Sequence, residues 1–141
     1  MQRKASAVWR GGLKDGKGTI STDSGTLKDT QYSFSTRFEN GVGTNPEELI
    51  AAAHSGCFAM AFSAELGKVG LTPESIAATA TVSLEKTNEG FTVTQSHLDV
   101  TVKVPGADKA KVLEIANAAK AGCPISRLLN AKVTMDAKVQ Q

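Results

Sequence analysis

Asn45-Pro46-Glu47-Glu48-Leu49-Ile50-Ala51-Ala52-Ala53-His54-Ser55-Gly56-Cys57-Phe58-Ala59-Met60-Ala61-Phe62-Ser63-Ala64-Glu65-Leu66 is the stretch that decides how this chain folds. Asn45 or the preceding Thr44 offers a capping oxygen, Pro46 pre-sets the backbone of a first turn, and two carboxylates complement the orphan N–H groups there. The pattern predicts one helix from Pro46 to about Leu66, ending near Gly67 or Gly70. It is apolar nearly all round, with Leu49 and Met60 on one side and Phe58, Phe62 and Leu66 on another, so most of its faces should be buried. A chain of 141 residues has little material with which to surround such a helix, which points to an oligomer.

Working outward, residues 5 to 36 read as short strands broken by turns. Ala7-Val8-Trp9 and Thr19-Ile20-Ser21-Thr22 flank a glycine-rich turn containing Asp15-Gly16, a hairpin signal. A third strand is expected from Tyr32 to Phe38, where Tyr32, Phe34 and Thr36 alternate with Ser33, Ser35 and Arg37. Gly41-Val42-Gly43 lacks a Walker lysine and a buried strand before it, so it reads as a joint rather than a phosphate loop. Beyond the long helix, Ala80, Val82 and Leu84 alternate in one strand, and Asn88-Glu89-Gly90 turns into the next. There Phe91 and Val93 hold one phase while Leu98, Val100, Val102 and Val104 hold the other, so a bulge or bend is expected near Gln95 to His97. A second helix should run from about Asp108 to Lys120, and a short third one should start at Cys123-Pro124. Val133, Met135, Ala137 and Val139 alternate in a final strand. These elements make a single α+β domain over residues 1–141.

Composition narrows the function. Apolar residues make up 40% and aromatics only 5%, as in an ordinary globular protein with an aliphatic core. The formal charge of +2 is dispersed, which gives nucleic acid or a membrane surface no electrostatic footprint. Met1-Gln2-Arg3-Lys4-Ala5-Ser6 has a basic start without an apolar stretch behind it, and no run is expected to reach bilayer-spanning length. A cytoplasmic location follows as an expectation, and there a disulfide would be transient and catalytic rather than a staple.

The chain has two cysteines. Cys57 sits in a helix interior, and Cys123 opens a helix in Ala121-Gly122-Cys123-Pro124, where a thiol ionises more easily. Free cysteine is more often a small buried hydrophobe. Peroxide reduction instead needs a thiolate, a positive group to keep it ionised, and a second thiol to trap the sulfenic acid. Cys57 could attack and Cys123 resolve. Burial of Cys57 would raise its pKa, so a nucleophile there needs a buried cation. Arg37 is the best candidate, the alternative being an exposed edge-strand arginine paired with Glu39. His54, three residues before Cys57, could form a Cys–His pair for acyl transfer, but no third group orients it. Zinc held by Cys57, Cys123, His54 and His97 would lack any close-spaced ligand pair. The residues alone leave three readings open: a cysteine peroxidase, a stress-related binding protein with passive thiols, and a thiol acyl hydrolase.

Four segments bear on the choice: Ser35-Thr36-Arg37-Phe38-Glu39, Gly43-Thr44-Asn45-Pro46-Glu47-Glu48-Leu49-Ile50, Ala52-Ala53-His54-Ser55-Gly56-Cys57-Phe58 and Lys120-Ala121-Gly122-Cys123-Pro124-Ile125-Ser126. In their order along the whole chain they resemble the osmotically inducible protein C (OsmC) family, which includes the organic hydroperoxide resistance proteins. The arginine within Thr-Arg-Phe-Glu favours the OsmC branch. The resemblance implies an intertwined homodimer, with antiparallel sheets wrapped around the long central helix, and a thiol peroxidase of oxidative and osmotic stress defence. It gives Cys57 the peroxidatic role and Cys123 the resolving one. Arg37 would polarise thiolate and peroxide, and Glu47, or its neighbour Glu48, would orient the arginine. No metal, haem or flavin is implied. The expected partners are a hydroperoxide, organic in preference to hydrogen peroxide, and an external dithiol of dihydrolipoyl type. Met60, Phe58 or Ile125 would supply an apolar wall for the substrate.

Helix geometry adds a constraint to that resemblance. Glu47 and Cys57 are ten positions apart on one helix, hence about 15 Å along its axis and about 80° around it. If both serve one thiolate, Glu47 must come from a second subunit, and Arg37 with it. An antiparallel pairing of two such helices about a two-fold axis near residue 52 would do this. Ala51-Ala52-Ala53 and Gly56 would let the backbones approach.

Overall fold

Trp9 and Tyr32 close over Gly18, and the first strands are arranged around that contact. In the computed structural model, which describes residues 1–141, β1 (Ala5–Arg10), β2 (Lys17–Thr22) and β3 (Thr30–Tyr32) form an antiparallel sheet in the order β1-β2-β3. Gly18 on the middle strand stands opposite Trp9 on one side and Tyr32 on the other. A Cβ there would lie 2.7 Å from Trp9 Cε3 and closer still to the Tyr32 ring. Glycine therefore lets the two rings meet across the strand, at 5.5 Å between centroids. The expected turn forms through Gly16, whose N–H donates to the Gly12 carbonyl at 2.9 Å.

The expected third strand from Tyr32 to Phe38 is corrected. It ends at Tyr32, and α1 (Phe34–Phe38) follows. The cause is a capping box. Ser33 Oγ accepts the Thr36 N–H at 3.2 Å, and Thr36 Oγ1 accepts the Ser33 N–H at 2.8 Å. Local hydrogen bonding overrides the period-2 pattern, and Phe34 and Phe38 then stack one turn apart at 5.0 Å.

The long helix is α2 (Pro46–Lys68). Asn45 is its cap, accepting the Glu48 N–H on Oδ1 at 2.7 Å. At the far end Gly70 adopts φ +77°, and the Leu71 N–H reaches back to the Leu66 carbonyl at 3.0 Å, the closure that left-handed glycine permits. Within the single chain α2 buries one stripe only, His54, Phe58, Phe62 and Leu66. Met60 is 78% exposed, and Ala52, Ala53 and Gly56 are exposed as well. The expectation of burial on most faces is thus not met by the chain's own residues. By length and composition alone α2 would also cross a bilayer, which corrects the expectation that no run reaches that length. In this fold its inward stripe joins a protein core instead.

The chain divides into two compact units, Met1–Leu49 and Ile50–Gln141, with the division inside α2. In the second, β4 (Ser75–Thr87) and β5 (Gly90–Lys103) form a long antiparallel hairpin. Ser83 stands opposite Gln95 and Leu84 opposite Val93, so Thr94 is the extra residue of a bulge, one position before the expected phase change. Then α3 (Lys109–Gly122) starts on an Asp108 cap, α4 (Pro124–Leu128) follows, and β6 (Lys132–Gln140) joins β5. That pairing is parallel, so the sheet β4-β5-β6 is mixed rather than wholly antiparallel. A parallel neighbour needs a crossover of a dozen residues or more, which α3 and α4 provide. Across it Asp99 and Asp136 fall opposite one another, and His97 Nε2, 3.1 Å from Asp136 and 3.5 Å from Asp99, sits between the like charges.

Phe58, Phe62 and Leu66 of α2, Leu98, Val100 and Val102 of β5, and Val112, Ile115, Ala116 and Ala119 of α3 form one core. Phe62 has no solvent exposure. Its truncation leaves a cavity as well as losing transfer energy, so Phe62→Ala should lower unfolding free energy by about 3–5 kcal/mol in urea titration. A loss under about 1 kcal/mol would mean that α2 does not anchor this core.

Candidate active site

Asn45 ties together the two elements that carry the charged pair of the first unit. Its Nδ2 donates to the Thr36 carbonyl at the end of α1 at 3.0 Å, while its Oδ1 caps α2. The Thr44 N–H donates to the Gln31 carbonyl at 3.0 Å, closing the joint on itself. Arg37, in the last turn of α1, is thereby held against Glu47, in the first turn of α2. Nε donates to both carboxylate oxygens at 3.0 and 3.2 Å, and Nη2 donates to Oε1 at 2.6 Å. Such a forked, charge-assisted pair fixes the plane of the guanidinium. Glu48 is taken by the Thr44 hydroxyl, which donates to Oε2 at 2.7 Å. The acid on Arg37 is therefore Glu47, neither Glu48 nor the edge-strand partner Glu39.

Beside this pair lies a cleft of about 290 Å³, lined by Trp9, Leu13, Tyr32, Phe34, Arg37 and Phe38. Of the residues expected to supply an apolar wall, Phe58 is wholly buried in the core, Met60 is exposed, and Ile125 is half-buried beside the thiols. Phe34 and Phe38 of the cleft were not among them. The Phe34/Phe38 spacing of four was the available signal, and it becomes visible only once that segment is recognised as helical.

The two thiols belong to the second unit. Cys123 occupies the corner between α3 and α4: its N–H donates to the Ala119 carbonyl at 2.9 Å, and its carbonyl accepts the Arg127 N–H at 3.0 Å. Pro124 occupies the first turn of α4 and leaves the following N–H groups free to turn toward sulfur. Cys57 is half-buried, Cys123 fully buried, and both are free thiols. The structure brings them into hydrogen-bond contact. Burial pushes the Cys57 thiol up, and so does its bond to Cys123, against a single N–H from Ile125. Burial alone would also raise Cys123. However, the bond from Cys57, the N–H and hydroxyl of Ser126 and the N–H of Ile125 outweigh it and hold Cys123 below its ordinary value. Within one chain burial opposes charge on Cys57, while the donors around Cys123 favour it there.

His54 does not pair with Cys57. Its Nδ1 lies 2.6 Å from Ser96 Oγ and its Nε2 lies 2.8 Å from Ser126 Oγ, so both ring nitrogens are engaged by serines. That arrangement leaves no Cys57–His54 dyad for acyl transfer. Nor are Cys57, Cys123, His54 and His97 gathered as one ligand set: His97 stands with Asp99 and Asp136 instead, and its Nδ1 meets Thr134. Neither serine was singled out from the sequence. They lie 42 and 72 positions from His54, beyond the reach of any local pattern.

Comparison with known proteins places these features in context. Residues 38–138 match the family model described as OsmC-like protein. Over 136 residues, 96% of this chain and 95% of the relative, the sequence is 52% identical to Peroxiredoxin OsmC of Escherichia coli (strain K12). It is 28% identical over 130 residues to the Organic hydroperoxide resistance protein OhrB of Bacillus subtilis (strain 168), covering 92% and 91% of the two chains. The crystal structure of Bacillus subtilis OhrB aligns with a TM-score of 0.69 at 27% identity, over 97% of this chain and 98% of that one. An OsmC-like protein of Vibrio cholerae aligns at 0.76 and 20% identity, over 97% and 99%, a likeness of fold.

Burial holds the His54 imidazole below its ordinary value. In the unfolded chain it takes up a proton near pH 6.5, while in the folded chain it resists, so this site removes stability as pH falls below about 6.5. Urea midpoints should therefore drop more steeply between pH 7.5 and 5.5 in the native protein than in His54→Gln. Equal slopes would show that the folded state does not hold the ring neutral.

Proposed function

This chain belongs to the OsmC-like protein family, and on that premise we propose that it is a cysteine-based peroxidase, reducing organic hydroperoxides and, more weakly, hydrogen peroxide. The observation that carries this reading is the pair of free thiols, Cys57 and Cys123, in hydrogen-bond contact. In the proposed cycle the Cys57 thiolate attacks the terminal peroxide oxygen. The S–O bond forms, the O–O bond breaks, and the alkoxide leaves as alcohol after gaining a proton. Cys123 sulfur then attacks the Cys57 sulfenic acid, the S–O bond breaks, and water leaves behind a Cys57–Cys123 disulfide. An external dithiol, of dihydrolipoyl type, returns both thiols and is itself oxidised to a disulfide. The cycle uses no metal, haem or flavin.

Attack from Cys57 requires its proton to leave and negative charge to gather there, against the upward push that burial gives this thiol. A guanidinium is the group that reverses it, by favouring thiolate and the developing alkoxide together. Arg37, held planar by Glu47, suits that role. We place it across a homodimer, where the Arg37–Glu47 pair of one subunit serves the thiols of the other. The ten-residue spacing of Glu47 and Cys57 on α2 supports this, as does the apolar surface that α2 leaves uncovered at Ala52, Ala53, Gly56 and Met60. The aromatic cleft beside Arg37 supports an organic substituent on the peroxide. A cytoplasmic role in oxidative and osmotic stress defence accords with this chemistry.

Three measurements test the reading. One equivalent of an organic hydroperoxide should remove two hydrogens from the intact mass of each chain, with dithiol turnover, and Cys57→Ser should lose both. Full turnover in Cys57→Ser would sink the peroxidase. Mixing inactive Cys57→Ser and Glu47→Ala chains should restore activity through heterodimers with one intact site; verified heterodimers without turnover would reject the composite site. Trp9→Ala should raise KM for a bulky hydroperoxide at least about threefold more than for hydrogen peroxide, in keeping with the roughly 1–3 kcal/mol that lost apolar contacts supply. Equal changes would move the substrate's organic group elsewhere.

A further inference from the structure

His54 is a buried titratable side chain for which the peroxide cycle has no use. It has no solvent exposure and stands on α2 three residues before Cys57. Ser96 of β5 meets Nδ1 at 2.6 Å and Ser126 of α4 meets Nε2 at 2.8 Å. The Ser126 hydroxyl also bonds the Cys123 sulfur, which in turn bonds Cys57. An unbroken line of hydrogen bonds thus runs from Ser96 through His54 and Ser126 to the two thiols. Cys123 has no exposed surface through which its proton could pass directly to solvent.

We propose that Ser126 and His54 form a proton relay for the resolving thiol. As Cys123 sulfur bonds to Cys57 sulfur, the Cys123 S–H proton passes to Ser126 Oγ, and the Ser126 hydroxyl proton passes to His54 Nε2. The hydroxide that leaves Cys57 takes a proton from solvent to become water, and imidazolium later returns one to solvent, so protons balance. In the reverse direction, when a dithiol attacks the half-exposed Cys57 sulfur, Cys123 leaves as thiolate and regains its proton through Ser126. The relay requires the tautomer with hydrogen on Nδ1, donating to Ser96 Oγ. Ser96 is then a positioning residue that selects this tautomer and turns the ring toward Ser126. No charged side chain is hydrogen-bonded to the imidazole; it meets two hydroxyls, from β5 and α4. Burial favours the neutral ring, the form able to accept a proton.

The proposal rests on the peroxidase reading for its forward step, and a second assay frees it from that dependence. In single turnover, peroxide consumption and disulfide closure are followed separately, the sulfenic acid being trapped by a cyclic 1,3-dione. In Ser126→Ala and in His54→Gln, closure relative to peroxide consumption should fall at least about tenfold, toward the range lost with a general acid or base. Ser126→Thr, which keeps the hydroxyl, should restore most of it. The pH profile of closure should lose its imidazole limb in both His54→Gln and Ser126→Ala and keep it in Ser126→Thr. Independently, the protein oxidised by a diazenedicarboxamide should be reduced by dithiothreitol at least about tenfold more slowly in both variants. If native protein ignores peroxide but the reduction rates differ as stated, the peroxidase reading falls and the relay stands. Closure and reduction at native rates in both variants, or an equal loss of both peroxide and closure steps, overturn the relay. Should a variant fail to fold, the native protein decides. A solvent deuterium isotope effect on closure absent from the peroxide step supports the relay, and no such difference rejects it.

Discussion

A sulfur taken out of water ionises only where N–H and O–H donors, or a cation, replace the solvent it has lost. Much of the second unit can be understood from that requirement. The corner between α3 and α4 turns the N–H groups of Ile125 and Ser126, and the Ser126 hydroxyl, toward Cys123. Pro124 makes the corner and consumes no donor. Cys57 receives far less, a single N–H from Ile125. The two thiols are therefore unequal before any partner arrives, and the more deeply buried one is the better served. Burial alone would have ranked them the other way.

In the first unit the same physics is met with a formal charge. A guanidinium keeps a fixed plane only when its fork is pinned, and for Arg37 the pin is Glu47, bidentate at 2.6–3.2 Å. What places the acid is the polar stitching of Ser33, Thr36, Thr44 and Asn45, each of which caps a helix end or ties one to its neighbour. These are short side chains making short-range bonds, so the geometry is set by residues too small to attract notice as chemistry.

How far the sequence could be read follows from the range of the forces involved. The α2 boundaries were legible because their cap, proline and acids act within a turn. The bulge at Thr94 was legible to within a residue because it flips a visible alternation. Tyr32 to Phe38 misled, since seven residues carried both a period of two and an aromatic pair at four. The decision lay with one serine and one threonine. The parallel entry of β6 is a matter of topology, and alternation along a strand says nothing of its neighbour's direction. The candidate residues Cys57, Cys123, Arg37 and Glu47 were named through motifs, whereas Ser96 and Ser126 became visible only through contacts across many positions of chain. The exposed apolar flank of α2 shows a further limit, for an apolar pattern does not say which faces of a helix its own chain covers.

The parallel pairing of β6 also has a consequence in time. Residues 95–103 of β5 wait for residues 132–140, which are synthesised after them. Contacts of such long separation close late, after local helices and hairpins have formed. Until then β5 presents an unpaired edge of backbone donors and acceptors, the kind of surface that recruits stray strands. The nascent chain thus carries the Cys57 thiol of α2 before Cys123 exists, at a stage when β5 still lacks β6.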